Sequence, residues 1–336
     1  MRRAMILLML PAIVLAMSSC DRKDKEEDKK AGRLTIAVIP KATMHIFWKS
    51  VEAGAKKAGK ELDVEVIWKG PLREDDREDQ IKVVDDMITR GVSGIVLAPL
   101  DDAALRGPVS EAMRARIPVV IFDSGLKGEA GKDYVSFVAT DNEKGGLLGG
   151  QELGRALKGE GKAVMLRYSV GHASTTNREV GFLKAMKEFP KIEVVSSNQY
   201  AGTTAESAYT AAERLLEPLK TADGLTIQGI FCPNESSAFG MLRALQDGKV
   251  AGKVTYVAFD ASPKLIDGLK KGHIHALVVQ NPVYMGYMGV KTMVRHLRGE
   301  KVNTRIDTGV AVVTQANMDE PKIKELLYPE LDKWLK

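Results

Sequence analysis

From Leu34 onward the chain alternates short apolar runs with longer amphipathic stretches, and it does so twice. The runs at 34–40, 64–68, 94–98, 117–122 and 135–138 form one set; those at 162–166, 193–197, 229–232, 255–259 and 276–280 form the next, with 310–314 closing it. A continuous apolar run of this length is what a strand covered on both faces requires. Between the runs, apolar residues return at helical spacing: Phe47, Val51, Ala55, Ala58 and Leu62, then Ile81, Val84 and Ile88. Helices are expected at 103–115, 142–157, 175–188, 204–219, 236–246, 264–271 and 284–297. Strands alternating with helices predict α/β architecture with parallel sheets and right-handed crossovers. Two successive sets predict two doubly wound lobes.

What precedes this body cannot join either core. Arg2 and Arg3 are followed by an uncharged apolar run over 4–17, then Ser18, Ser19 and Cys20. This is the layout of a secretory signal peptide. The run is shorter than the roughly 20 residues of a membrane span. Small residues leading into Cys20 resemble the bacterial lipobox, although Met17 stands where Leu is usual. That resemblance implies a signal peptide over 1–20 ending at a lipidated Cys20. Residues 21–30 are unbroken charge of both signs, so 21–33 are expected to be a solvated tether holding the body away from a bilayer. The expected location is the periplasm or the outer face of the cytoplasmic membrane. Cys232 is the only other cysteine, and it is expected to be a small buried hydrophobe.

The charge balance narrows the partners. Lys and Arg number 49 against 44 Asp and Glu, a formal +5, with both signs interspersed. No basic stripe with interleaved aromatics appears, so nucleic acid is not an expected partner.

In open α/β sheets ligands sit beyond the carboxyl ends of the strands. Lys41, His45, Phe47 and Trp48 follow the first strand; Asp123 and Ser124 follow the fourth. Thr176, Asn234 and Asp260 follow strands of the second set, and Gln280 ends one. A sugar presents hydroxyls around its rim and an apolar C–H face. Carboxylates and amides bond the hydroxyls, and aromatic rings cover the C–H face. Helix capping is an equally good use of Asp123 and Asp260, and Phe47 also fits the buried face of its helix.

Seven segments resemble, in order, the landmarks of the periplasmic sugar-binding proteins of ABC transporters, the family that includes the ribose binder. They are HIFWKSVEAGAKKAGKEL, GVSGIVLAPLD, IPVVIFDSG, VATDNEKGG, FCPNESSAFGMLRAL, VAFDASPK and VVQNPVYMGYMGVK. The likeness covers 34–314. The same fold serves as the sensor half of LacI-type repressors, which carry a DNA-binding helix-turn-helix where this chain has its signal segment. The resemblance implies a type I periplasmic binding fold: an N-terminal lobe of 34–139 plus 281–309, and a C-terminal lobe with tail of 140–280 plus 310–336. A three-strand hinge would lie near 139–141, 281–282 and 309–310.

The family's ligand positions carry over to Phe47 and Trp48, to His45 where Asn is common, and to Lys41 where small hydroxyl residues are common. Asp123, Asn234, Asp260 and Gln280 match in type. Ser124 and Thr176 fall where the ribose binder has arginines, and Arg178 matches a neighbouring Arg with a structural role. Loss of both arginines argues against ribose. The resemblance implies a monomer that captures a small neutral sugar or polyol and docks on an ABC-transporter permease. A sensor feeding a histidine kinase or chemoreceptor is an alternative, and a sugar-modifying enzyme another.

No GxSxG elbow, HExxH, Walker-A loop or GxGxxG after a strand occurs. The glycines at 145, 146, 149 and 150 sit within a helical pattern and suit close helix packing. His273 and His275 alternate without a Cys or carboxylate cluster and read as surface residues. The expectation is a binding protein, not an enzyme, with no cofactor and no metal.

Overall fold

The computed structural model describes residues 32–335. The signal segment, Cys20 and most of the charged tether lie outside the described residues. The first sheet is built from β1 (Thr35–Ile39), β2 (Glu65–Trp68), β3 (Gly94–Leu97), β4 (Val119–Phe122), β5 (Ser136–Ala139) and β13 (Arg305–Asp307), in the order β13-β5-β4-β3-β1-β2, all parallel. The second holds β6 (Glu160–Arg167), β7 (Lys191–Tyr200), β10 (Gly229–Cys232), β11 (Thr255–Phe259), β12 (Ala276–Gln280) and β14 (Val310–Val313). Its order is β14-β12-β11-β10-β6-β7, and only β14 runs antiparallel. A small hairpin pairs β8 (Lys220–Thr221) with β9 (Gly224–Leu225).

Each strand feeds two cores, because successive side chains leave a strand on opposite faces. Ile36 and Val38 join Val96, Val120 and Phe122 on one face. There they meet helix α1 (Ile46–Leu62) through Val51, Ala55 and Ala58. Ala37 and Ile39 join Ile95 and Ile121 on the other, under α2 (Arg77–Thr89) and α3 (Arg106–Arg114). The second sheet is covered in the same way. Helices α4 (Asn142–Ala156) and α5 (Ala173–Met186) pack on Met165, Phe231 and Val257. The opposite face of that sheet lies under α6 (Ala205–Leu216), α7 (Glu235–Asp247) and α8 (Pro263–Lys270). Double coverage is why the strands read as continuous apolar runs.

The chain passes between the lobes three times. It leaves β5 for α4, leaves β12 for α9 (Pro282–Leu297), which packs on the first sheet beside α1, and leaves β13 for β14. The first and third crossings are bonded to each other. Thr140 Oγ1 donates to the Gly309 carbonyl at 3.1 Å, and the Asp141 amide donates to Asp307 Oδ1 at 3.2 Å. Two short helices, α10 (Pro321–Leu327) and α11 (Asp332–Leu335), end the described chain.

Glycine sets the closest helix contacts. A Cβ at Gly54 of α1 would lie 1.9 Å from the Val283 carbonyl oxygen of α9, and one at Gly146 of α4 only 1.8 Å from that of Arg178 in α5. The second approach fixes the helix that carries Arg178. Three sequence expectations shift here. The helix expected at 103–115 begins only at Arg106, because Asp101 Oδ1 accepts from the Ala103 and Ala104 amides and holds a turn first. The strand expected at 193–197 extends over Lys191–Tyr200. Strand β13 was not anticipated, since three residues with exposed Arg305 and Asp307 carry no apolar run.

Candidate ligand cleft

Residues beyond the strand ends of both sheets line one cavity of about 270 Å³. The first lobe contributes Lys41 after β1, His45, Phe47 and Trp48 at the start of α1, and Asp123 after β4. The second contributes Asn234 after β10, Asp260 after β11 and Gln280 at the end of β12.

His45 stands at the N-terminus of α1, its Nδ1 3.2 Å from the Phe47 amide, and its Nε2 faces Glu235 Oε2 of the other lobe at 2.6 Å. Burial opposes its charge, but the hydrogen bond and charge of Glu235, with Glu74 and Asp260 beyond, raise its pKa to about 9. Burial likewise pushes Glu235 upward, yet its pairing with His45 leaves it below the usual carboxylate range. Trp48 is buried edge-on against Phe47 and Phe122, at centroid distances of 4.9 and 6.1 Å. Lys41 is also buried; its ammonium lies 3.1 Å from Asp123 and donates to Ser174 Oγ across the cleft at 3.1 Å.

Asp260 has a denser set of partners. Gln280 Nε2 donates to Oδ1 at 2.6 Å, the Glu235 amide donates to Oδ2 at 3.1 Å, and Arg178 lies 3.7 Å away. Burial outweighs these and raises its pKa; Arg178, Gln280 and His45 oppose the shift. Neither Asp123 nor Asp260 is the N-cap of a helix; Asn234 and Asn281 are, for α7 and α9.

Two expected contacts are corrected. Ser124 is buried behind the lining, where its Oγ accepts from the Ser174 amide at 3.2 Å. Thr176 also stands outside the lining, and Ser174 and Thr175 take its place. Arg178, expected to be structural, lines the cavity as well. Its Nε donates to Asn142 Oδ1 at 2.8 Å, one terminal nitrogen donates to the Pro233 carbonyl at 3.0 Å, and its guanidinium stacks on Phe259 at 4.0 Å. The cleft therefore keeps one guanidinium.

Sequence reasoning passed over Glu74 and Tyr168. Tyr168 directly follows β6, so the strand-end rule reaches it. Glu74 lies well beyond β2 in an aperiodic loop, where no such rule applies. Cys232 is fully buried, and burial pushes its thiol to about 12. His275 bonds Glu152 and His273 bonds Gln246 on the surface. Among the described residues, no cluster of three or more His, Cys, Asp or Glu is placed to hold a metal ion.

The geometry has close counterparts. An ABC transporter solute binding protein from Agrobacterium vitis, solved with bound D-fucose, is 37% identical with a TM-score of 0.82, covering 88% of this chain and 100% of that one. A carbohydrate transporter solute binding protein from Agrobacterium radiobacter, in complex with D-arabinose, is 35% identical with a TM-score of 0.82, over 88% and 99%. The D-allose-binding periplasmic protein of Escherichia coli is 30% identical over 271 residues, 79% of this chain and 85% of that protein. Residues 36–301 match the periplasmic binding protein domain, and since this match spans most of the chain, the chain belongs to that family.

Proposed function

We propose that this chain captures a small neutral sugar or polyol between its lobes and delivers it to the permease of an ABC transporter. The charge balance of the cleft carries the reading. Each carboxylate of its lining already has a partner in the wall: Asp123 has Lys41, Glu235 has His45, Asp260 has Gln280 and Arg178, and Glu74 has Trp48 and Tyr168. The ionisable groups of the wall are partnered without help from a ligand, so an ionised solute would arrive uncompensated. Gln280 Oε1 adds a buried acceptor with no hydrogen-bond partner, suited to a hydroxyl. A relative named as D-allose-binding and two solved with bound D-arabinose and D-fucose support the class.

Lys41, His45, Phe47, Trp48, Asp123, Asn234, Asp260 and Gln280, joined by Arg178, are the proposed ligand contacts. Capture works by closure about the three crossings, since both lobes supply groups that a ligand holds together only when they meet. A thermal-shift screen of pentoses, hexoses, 6-deoxy sugars, polyols and sugar acids tests the reading. A neutral compound should raise the midpoint with increasing concentration. Response to acids alone, or to nothing, would refute it.

The proposal extends to the address. Cys20 is the lipidation site, and two or more acyl chains, at about 0.8 kcal/mol per buried CH₂, hold the protein at a membrane surface. Mass spectrometry of the mature N-terminus should find a diacylglyceryl-modified cysteine. An unmodified Cys20 would remove the anchor and leave the binding function untouched.

A further inference from the structure

Among the described residues, three hydrogen bonds join a side chain of one lobe to a side chain of the other across the cleft: Lys41 with Ser174, His45 with Glu235, and Glu74 with Tyr168. The third differs from the others in what else its carboxylate holds. Glu74 Oε1 accepts from Trp48 Nε1 at 2.7 Å, and Oε2 accepts from the Tyr168 hydroxyl at 2.9 Å. Trp48 belongs to the first lobe and Tyr168 to the second, and both are almost wholly buried. One carboxylate thus ties the indole of the ligand wall to the phenol of the opposite lobe.

Tyr168 is fixed within its own lobe. Its amide donates to Glu179 Oε1 at 3.0 Å, and its ring lies edge-on to His172 at 4.8 Å. Within its own lobe its hydroxyl has the side chain of Ser236 and the Thr203 carbonyl, the latter at 3.5 Å, the limit of hydrogen-bond distance. Its short bond is the one across the cleft. Parting the lobes breaks that bond and leaves Glu74 with only Trp48. Hydrogen bonds to an ionised acceptor are the stronger kind. Glu74 is held ionised: burial opposes this, and the charges of Lys41 and His45 with the Trp48 bond outweigh it.

We propose that Glu74 is a positioning residue that couples the seating of Trp48 to lobe closure, fastening the closed cleft through Tyr168 only when the indole is in place. The coupling deepens the sugar-capture reading and rests on it for its effect on ligand. Because the bond joins protein groups alone, it also has a ligand-free signature.

The experiment uses the full chain and two readouts. In a background where Trp68 and Trp334 are replaced by Phe, Trp48 is the sole indole fluorophore. Without any sugar, Glu74→Ala should raise acrylamide quenching of Trp48 severalfold, and Glu74→Gln, which keeps an acceptor, should restore most of the protection. Quenching unchanged in Glu74→Ala would overturn the proposal even if no sugar is ever found to bind. The second readout is stopped-flow dissociation of whichever neutral sugar gives the largest thermal shift. Tyr168→Phe and Glu74→Ala should each speed dissociation about tenfold or more, the scale of a bond to a charged group, with association within about twofold. The double variant should be no faster than Glu74→Ala. Fully additive effects, or unchanged dissociation, would show two independent residues and overturn the coupling. Tyr168→Phe keeps the buried ring, so it remains informative if Glu74→Ala folds poorly.

Discussion

The two lobes use the same backbone device to present their key carboxylates and support them differently. β4 and β11 hold equivalent places in their sheets, third from the β13 and β14 edges. Each is followed by an aspartate in the left-handed region, Asp123 at φ 58° and Asp260 at φ 72°. Each aspartate donates its amide to the neighbouring strand, to Val138 at 3.1 Å and to Val278 at 2.8 Å. Such conformations are uncommon away from glycine and are tolerated best by Asp and Asn. Beyond the backbone the likeness ends. Phe122 meets an indole and Phe259 a guanidinium. Asp123 pairs with the single ammonium of Lys41, whereas Asp260 has an amide side chain, a backbone amide and Arg178 around it. The first carboxylate depends on one cation that also reaches across the cleft; the second is preorganised within its own lobe.

The sharpest way to break this comparison is to remove one partner from each side. Lys41→Met should be the costlier change. It leaves Asp123 as a buried charge without its cation, a loss of about 3–5 kcal/mol in unfolding free energy by urea titration. Adding Asp123→Leu to Lys41→Met should restore much of it, because the uncompensated charge is gone. Gln280→Met removes one of several partners of Asp260 and should cost only about 1–2 kcal/mol. Equal losses in the two single variants would mean that Asp260 is no better supported than Asp123.

A smaller effect separates the lobes by pH. His45 reaches about 9 only while Glu235 of the opposite lobe faces it, with Glu74 and Asp260 nearby, and parted lobes return it towards its ordinary 6.5. A group raised in the closed state favours closure fully below about 6.5, and the advantage fades as pH climbs through about 9. Sugar affinity should therefore fall from pH 7 to pH 10, by at most about tenfold per pH unit, and Glu235→Gln should flatten that slope. His172 has the opposite sign. Burial and the charge of Lys41 lower it to about 4, so it stays neutral in the folded protein and costs stability as pH drops from about 6.5 towards 4. An affinity profile flat to pH 10 in the unaltered protein would remove His45 from the closure.

How much of this was legible in the sequence depended on which periodicity carried the residue. Asp123, Asp260 and Gln280 were found because each ends a long apolar run, and a buried parallel strand can place its last residues in only one region. The sheets were legible for the same reason. β13 was not, because a three-residue edge strand with polar ends carries no burial pattern, and its place comes from pairing with Phe137 and Val138. Glu74 escaped because a loop has no period from which to count. Arg178 was seen and assigned a structural role, since a buried guanidinium that packs on a ring and one that faces a ligand look alike until the partners are known.

Thr176 was expected where Ser174 and Thr175 line the cavity, and it supplies the smallest and cleanest test. On a helix, neighbours share a face at spacings of three and four, not one or two. Ser174 and Thr175 lie four and three residues before Arg178, and all three line the cavity; Thr176 lies two before it and does not. The face that this first helical turn presents to the cavity therefore carries Ser174 and Thr175 and leaves Thr176 out. Thr176→Ala should leave sugar affinity within about a factor of two, the usual range for a side chain outside any special feature. Ser174→Ala removes the acceptor that Lys41 reaches across the cleft, and it should weaken binding about fivefold, the scale of one ordinary hydrogen bond. Isothermal titration of both variants with the same sugar reads the order directly. If Thr176→Ala proved the more damaging, the face that α5 turns to the ligand would be rotated from the one described, and Arg178 would leave the cleft with it.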